Sequence, residues 1–198
     1  MKISRQLLGV FMVILPAIGF SQQKNVGIRI MQNEAIALTD TVNSITLEKK
    51  SFKIQVLLQF IKGVYVFASL GDSLYNLPAA APIPGFSDLP GLVMKEEEYN
   101  REKELLVSNE GWSYWFYDPL IGWHRFNKKV VPLDSGRVVG SKSIKQLYLL
   151  PEGRTIKLKD SNAPLYLFFV AVAEVDSSGK PLKELLRRRV KIEWNDED

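Results

Sequence analysis

The feature that most limits how this chain can fold is the alternation of apolar and polar residues between positions 52 and 60. Apolar side chains occupy every second position: Phe52, Ile54, Val56, Leu58 and Phe60. The positions between them are polar except for Leu57. Successive side chains of an extended strand point to opposite faces of a sheet, so this pattern predicts a β-strand with one buried face.

Similar runs recur along the chain and are separated by turn-forming residues. Besides 52–60, strands are predicted over residues 26–30, 36–41, 44–47, 64–70, 112–117, 123–126, 143–150, 155–158, 165–175 and 186–194. One short helix is predicted over 94–107, where Glu97 and Arg101 stand four residues apart. Because helices able to cross between parallel strands are missing, the pattern predicts a mainly β fold, an antiparallel β-sandwich of immunoglobulin-like or jelly-roll-like type.

Two local arrangements follow from the spacing of these runs. The short link Ile61-Lys62-Gly63 predicts that strands 52–60 and 64–70 form a hairpin. Residues 165–173 are apolar almost throughout, which predicts a central strand buried on both faces.

A proline-rich stretch interrupts the strand pattern. Pro78, Pro82, Pro84 and Pro90 lie within residues 76–92 and are incompatible with regular structure, so a long loop is predicted there. We expect one domain over 22–198 that contains this loop. The alternative is two small β domains, 22–75 and 93–198.

The first 21 residues have the pattern of a secretory signal peptide. Lys2 and Arg5 precede an apolar run over 7–20, and small residues lie at the expected cleavage site. Cleavage after Ser21 would leave 177 of the 198 residues. The run is short for a membrane span, so we expect an exported protein, periplasmic or extracellular, that does not span the membrane after cleavage.

The composition of the chain excludes several kinds of catalytic and metal site. There is no cysteine, which excludes disulfides, a thiol nucleophile and cysteine-based metal sites, and His124 alone cannot make a zinc cluster. No serine lies in a Gly-x-Ser-x-Gly motif. Removing Lys2 and Arg5 leaves 24 basic and 22 acidic residues, nearly balanced, so nucleic acid is not expected as a partner. We expect no cofactor, no metal and no enzymatic activity.

The densest cluster of aromatic residues lies between positions 112 and 126. Alternation predicts that Trp112, Tyr114 and Phe116 share a buried face. Trp115, Tyr117 and Trp123, together with His124, are then the candidate residues for binding a partner or ligand, because exposed aromatic rings suit protein surfaces and flat sugar faces.

Two charged segments are expected to be solvated surface. Glu96 to Glu104 interleave with basic residues, which argues against a catalytic carboxylate pair. Alternation places three basic residues on one face of a predicted strand: Arg187, Arg189 and Lys191. This face is expected to lie in solvent, where its charges would discourage another strand from pairing with the edge of the sheet.

These observations predict an exported, non-enzymatic binding or structural protein of the bacterial cell envelope that interacts through a β-sheet surface. An envelope protein is the expected partner. The alternatives are a carbohydrate-binding module that uses the aromatic hairpin 112–126 and a carboxylate-dependent hydrolase.

Overall fold

The computed structural model describes most of the chain in eight stretches. These are residues 26–38, 42–59, 63–88, 105–108, 111–117, 129–132, 138–149 and 153–195. Strands 105–108, 111–117 and 129–132 are described by their backbone.

The described residues are mainly β. The strands are β1 (Val26–Gln32), β2 (Ala35–Leu38), β3 (Ser44–Glu48), β4 (Phe52–Leu58), β5 (Gly63–Ser69), β6 (Leu105–Ser108), β7 (Gly111–Tyr117), β8 (Lys129–Pro132), β9 (Val138–Ile144), β10 (Gln146–Leu149), β11 (Arg154–Lys157), β12 (Leu165–Val175) and β13 (Pro181–Asn195). Two 3₁₀ turns, Phe86–Asp88 and Leu158–Asp160, complete the described elements.

The described strands form three sheets. The first sheet has the order β2-β1-β4-β9-β8, the second has the order β3-β13-β12-β5-β7, and a small sheet has the order β11-β10-β6. Neighbouring strands are antiparallel except for the pairs β3–β13 and β6–β10, which are parallel. The mainly β fold class predicted from the sequence is therefore confirmed.

The main core draws on all three sheets. It contains Ile54 of the first sheet, Leu167 and Val190 of the second and Leu147 of the small sheet, all with no exposed surface. Apolar area removed from water stabilises by about 25 cal/mol per Å², so this shared core is the main force that holds the sheets together.

Pairing differs from the prediction in two places. Strands β4 and β5 do not form a hairpin: β4 pairs with β1 and β9 in the first sheet, whereas β5 pairs with β12 and β7 in the second. The helix predicted over 94–107 is wrong at its C-terminal end, because Leu105–Ser108 is a strand paired with β10. In both places long-range pairing outweighs the local pattern.

Strand β12 is central, as predicted. It lies between β5 and β13, and Leu165 through Val172 are buried apart from Tyr166. The turn to β13 is closed by the Asp176 side chain, which accepts hydrogen bonds from the backbone N–H groups of Ser178 (2.8 Å) and Lys180 (2.9 Å). Hydrogen bonds from Ser178 and Lys180 lower the pKa of the Asp176 carboxyl.

The second sheet is covered on its other face by residues 72–88, which we call the strap. Leu74, Leu77, Ile83 and Phe86 of the strap pack on the sheet. The residues beneath them form an outer cluster: Tyr65, Phe67, Phe168, Val170 and Val172. The predicted loop 76–92 is described as far as Asp88, and residues 89–92 lie outside the described part.

Lys142 is a lysine on an inward-facing row of the first sheet. It lies opposite the fully buried Ile54, and its row neighbours Gly140 and Ile144 are also buried. Burial lowers the pKa of the Lys142 ammonium from 10.5 to about 8.

We expect Lys142→Met to stabilise the fold at neutral pH. Between pH 8 and 10.5 the unfolded chain holds this proton more tightly than the folded chain, so the wild-type protein becomes harder to unfold as the pH rises through this range. At pH 7 the folded state carries the full cost of the buried charge, and K142M should raise the free energy of unfolding by about 1–3 kcal/mol.

Urea unfolding of both proteins at pH 7 and pH 10 measures this effect. The advantage of K142M should shrink at the higher pH. An advantage that is equal at both pH values would contradict the assignment.

Candidate functional site

Five lysines converge on a groove of about 400 Å³ where the three sheets meet. They are Lys49, Lys50, Lys145, Lys157 and Lys159. Ser51, Gln146 and Leu158 complete its described lining, which contains no acidic residue. We call this feature the lysine groove.

The first two lysines lie on the turn between β3 and β4, and Gln32 of β1 holds that turn. Gln32 Nε2 donates to the carbonyl oxygens of Glu48 (3.1 Å), Lys50 (3.3 Å) and Ser51 (3.4 Å). In return, the Glu48 backbone N–H donates to Gln32 Oε1 (2.9 Å). One glutamine side chain therefore fixes the backbone that carries Lys49 and Lys50, because it forms hydrogen bonds with backbone groups of the turn that have no partner in a neighbouring strand.

The other three lysines come from junctions of the small sheet. Lys145 is the single residue between β9 of the first sheet and β10 of the small sheet. Gln146 lies opposite Lys157 on β11. Leu158, which is 2% exposed, anchors the following turn in the main core and leaves Lys157 and Lys159 on either side of it exposed.

Acidic residues lie beside two of the groove lysines. Glu48 forms an ion pair with Lys50 (3.2 Å), and Asp160 follows Lys159 in the 3₁₀ turn. The five lysines bring basic side chains from three chain segments to one concave surface, and a positive potential in such a surface raises the local concentration of anions.

The lysine groove is not apparent in the sequence. Its lysines occur as a pair at 49–50, a single residue at 145 and an alternate pair at 157 and 159, with about a hundred positions between the first pair and the rest. In the sequence, Lys49 and Lys50 lie between two predicted strands, and Lys157 and Lys159 lie at the end of another. Lys145 falls within the strand predicted over 143–150, which the structure divides at this residue into β9 and β10. Nothing local indicates that these three segments meet.

The predicted aromatic site falls only partly within the described residues. Trp115 and Tyr117 lie on β7, of which the backbone is described, whereas Trp123 and His124 lie outside the described part. The face assignment of these aromatic residues and their role in binding therefore stay predictions.

The backbone register of β7 nevertheless bears on the alternation argument. Tyr114 lies opposite Tyr65 of β5, and Phe116 lies opposite Val64. Because Tyr65 and Val64 are adjacent, the register shifts by one residue at this point. A bulge of this kind interrupts the period of two on which the prediction depends.

The prediction that Arg187 and Arg189 of the basic row on β13 lie in solvent is wrong, whereas Lys191 of the same row forms an exposed ion pair with Glu193. Arg189 Nη1 donates to the carbonyl oxygens of Tyr75 (2.8 Å) and Leu77 (2.5 Å). Arg187 Nη1 donates to that of Ala81 (2.6 Å). We call these two arginines the arginine clamp, because they hold the strap on the second sheet.

Glu184 supports the clamp. Arg187 donates through Nε to Glu184 Oε1 (2.6 Å) and through Nη2 to Oε2 (2.8 Å). This bidentate pair fixes the guanidinium plane, and the hydrogen bond to Glu184 raises the pKa of Arg187. The alternation that placed Arg187, Arg189 and Lys191 on one face was correct. Their surroundings could not be predicted, since the strap comes from a segment more than a hundred residues earlier.

Neither a metal site nor a membrane-spanning helix is present in the described part of the chain. Among these residues no group of three or more His, Asp or Glu side chains could hold a metal ion. No helix within the same stretches is long and apolar enough to cross a membrane.

Comparison with protein-family models, with curated proteins and with solved structures found no match for this chain.

Proposed function

We propose that this chain is an exported, non-enzymatic binding protein of the cell envelope that holds a negatively charged ligand in the lysine groove. The observation that carries the proposal is the convergence of five lysines from three separate chain segments on one concave surface. A positive potential in a concave site favours anionic partners over neutral ones.

The scaffold we propose for this function is a single β-sandwich domain. Its support is the main core, in which Ile28 and Ile54 of the first sheet pack in one cluster with Val66 and Leu165 of the second. Export is supported by the basic and apolar pattern of residues 1–21.

Neutralising two groove lysines tests the proposal. We expect Lys157→Gln with Lys159→Gln to weaken binding of the purified chain to fluorescently labelled heparin, a sulfated polyanion. Each exposed ionic contact contributes about 0.2–1 kcal/mol, so the affinity should fall about 2- to 30-fold, measured by fluorescence anisotropy at about 0.15 M salt, where the Debye length is about 8 Å.

A control with the same change in net charge separates the groove from overall charge. Arg29→Gln with Lys183→Gln removes two exposed cations that do not line the groove. This control should bind heparin within about twofold of the wild type, because distant exposed charges are screened by salt. Equally weakened binding in both double variants would refute the groove as the binding site.

A further inference from the structure

We infer that the acidic segment Asp196-Glu197-Asp198 binds in the lysine groove and competes there with external anions. The three residues follow β13 and lie outside the described part of the chain. The competition rests on the proposed function, because it concerns the regulation of the same groove.

The end of β13 lies next to the first lysine-bearing segment of the groove. Strands β3 and β13 are parallel, and their register places Asn195 opposite Glu48. Glu48 is the last residue of β3, and Lys49, Lys50 and Ser51 follow it in the groove lining. Because parallel strands run in the same direction, the chain that leaves β13 at Asn195 starts alongside the turn that carries these lysines.

Trp194 connects the same end of β13 to a second segment of the groove. Its indole Nε1 donates to the carbonyl oxygen of Ala163 (2.9 Å), which lies shortly after the 3₁₀ turn that carries Lys159. Its ring also contacts that of Phe52, the first residue after the β3–β4 turn, with the ring centroids 6.3 Å apart. The last described residues of β13 are therefore held between two of the segments that line the groove.

The length and the charge of the acidic segment both suit the groove. An extended chain advances about 3.3 Å per residue, so three residues span about 10 Å. All three residues of the segment are acidic, whereas Lys157 and Lys159 are exposed in the groove lining. Contacts within one chain form at high effective concentration, which favours this segment over a free anion that makes contacts of equal strength.

Carbodiimide cross-linking of the purified chain tests where the segment lies. The reagent joins a carboxylate to a lysine amine when the two are in contact, and mass spectrometry identifies the joined residues. We expect links from the segment to Lys157 or Lys159 at about 0.15 M salt and fewer at about 1 M, where the Debye length is about 3 Å. The ion pair of Glu174 with Lys183 (3.5 Å) is the positive control for the reagent.

Three cross-linking results would overturn the inference. A segment that does not bind in the groove would give no links to Lys157 or Lys159, although the link between Glu174 and Lys183 forms. A segment that moves freely would react with Lys191 of β13 as often as with the groove lysines. Links confined to dimeric product would assign the segment to the groove of a second copy of the chain.

Neutralising the segment tests the competition. Asp196→Asn with Glu197→Gln should strengthen heparin binding about 2- to 30-fold at about 0.15 M salt, because the ligand no longer displaces two ionic contacts. Asp72→Asn with Glu174→Gln makes the same chemical changes at exposed positions that do not line the groove. This control should bind heparin within about twofold of the wild type, and equal strengthening in both double variants would refute the competition.

The two measurements distinguish failure of this inference from failure of the proposed function. Links to Lys157 or Lys159, with no heparin binding by the wild type or by the neutralised variant, would support the location of the segment and refute the proposed function. Heparin binding through the groove, with no links from the segment to these lysines, would refute the inference alone.

Discussion

Leu167→Asp is expected to abolish folding. Leu167 lies in the middle of β12 with no exposed surface, between Ala68 of β5 and Val190 of β13, which are equally buried. An aspartate there would be a charge without a partner in the main core. Its cost of several kcal/mol is comparable with a typical stability of about 5–15 kcal/mol. Circular dichroism and urea unfolding measure the outcome.

The matched control is Leu182→Asp, which makes the same chemical change at a surface position. Leu182 is 61% exposed on β13, so the variant should unfold within about 0.5 kcal/mol of the wild type. Phe169 is a less decisive position, because Arg188 lies directly opposite it and could pair with a new carboxylate. Equal unfolding free energies for L167D and L182D would refute the role of β12 as the central strand.

The sequence locates strands such as β4 and β12 but misses β6 and β8, and it does not give the pairing of the strands, for a physical reason. Alternation in residues 52–56 indicates which side chains of β4 are buried, and Phe52, Ile54 and Val56 do lie in the main core. It carries no information about which strand lies alongside. The short link after β4 suggested β5 as its neighbour, whereas the actual neighbours β1 and β9 lie far apart in the chain.

The candidate site shows the same limit more strongly. A lysine at the end of a strand is ordinary surface when it is considered alone, as Lys145 illustrates. Lys145 becomes part of a groove only because the β3–β4 turn lies close to the ends of β10 and β11, and that closeness is a property of the tertiary fold. Gln32 is equally inconspicuous in the sequence, although its side chain holds the turn that carries Lys49 and Lys50.

The second large effect is expected from the arginine clamp. Arg189→Met keeps most of the length of the side chain and removes both hydrogen bonds to the strap, those to the carbonyl oxygens of Tyr75 and Leu77. Hydrogen bonds from a charged donor contribute about 1.5–3 kcal/mol each, and the site is only partly buried. We therefore expect R189M to lower the free energy of unfolding by about 2–4 kcal/mol, measured by urea denaturation.

A specific role of the arginine clamp differs from a general decrease in stability in the part of the chain that opens first. When the strap loosens, Phe168 and Val170 of the outer cluster become accessible, so R189M should bind a hydrophobic dye and be cleaved within residues 72–88 before the sheets unfold. Arg29→Met is the control, because Arg29 is exposed on β1, a strand of the first sheet, whereas the strap covers the second. If R189M and R29M unfold at the same urea concentration and resist protease equally, the strap is held by its apolar contacts and the arginines add nothing measurable.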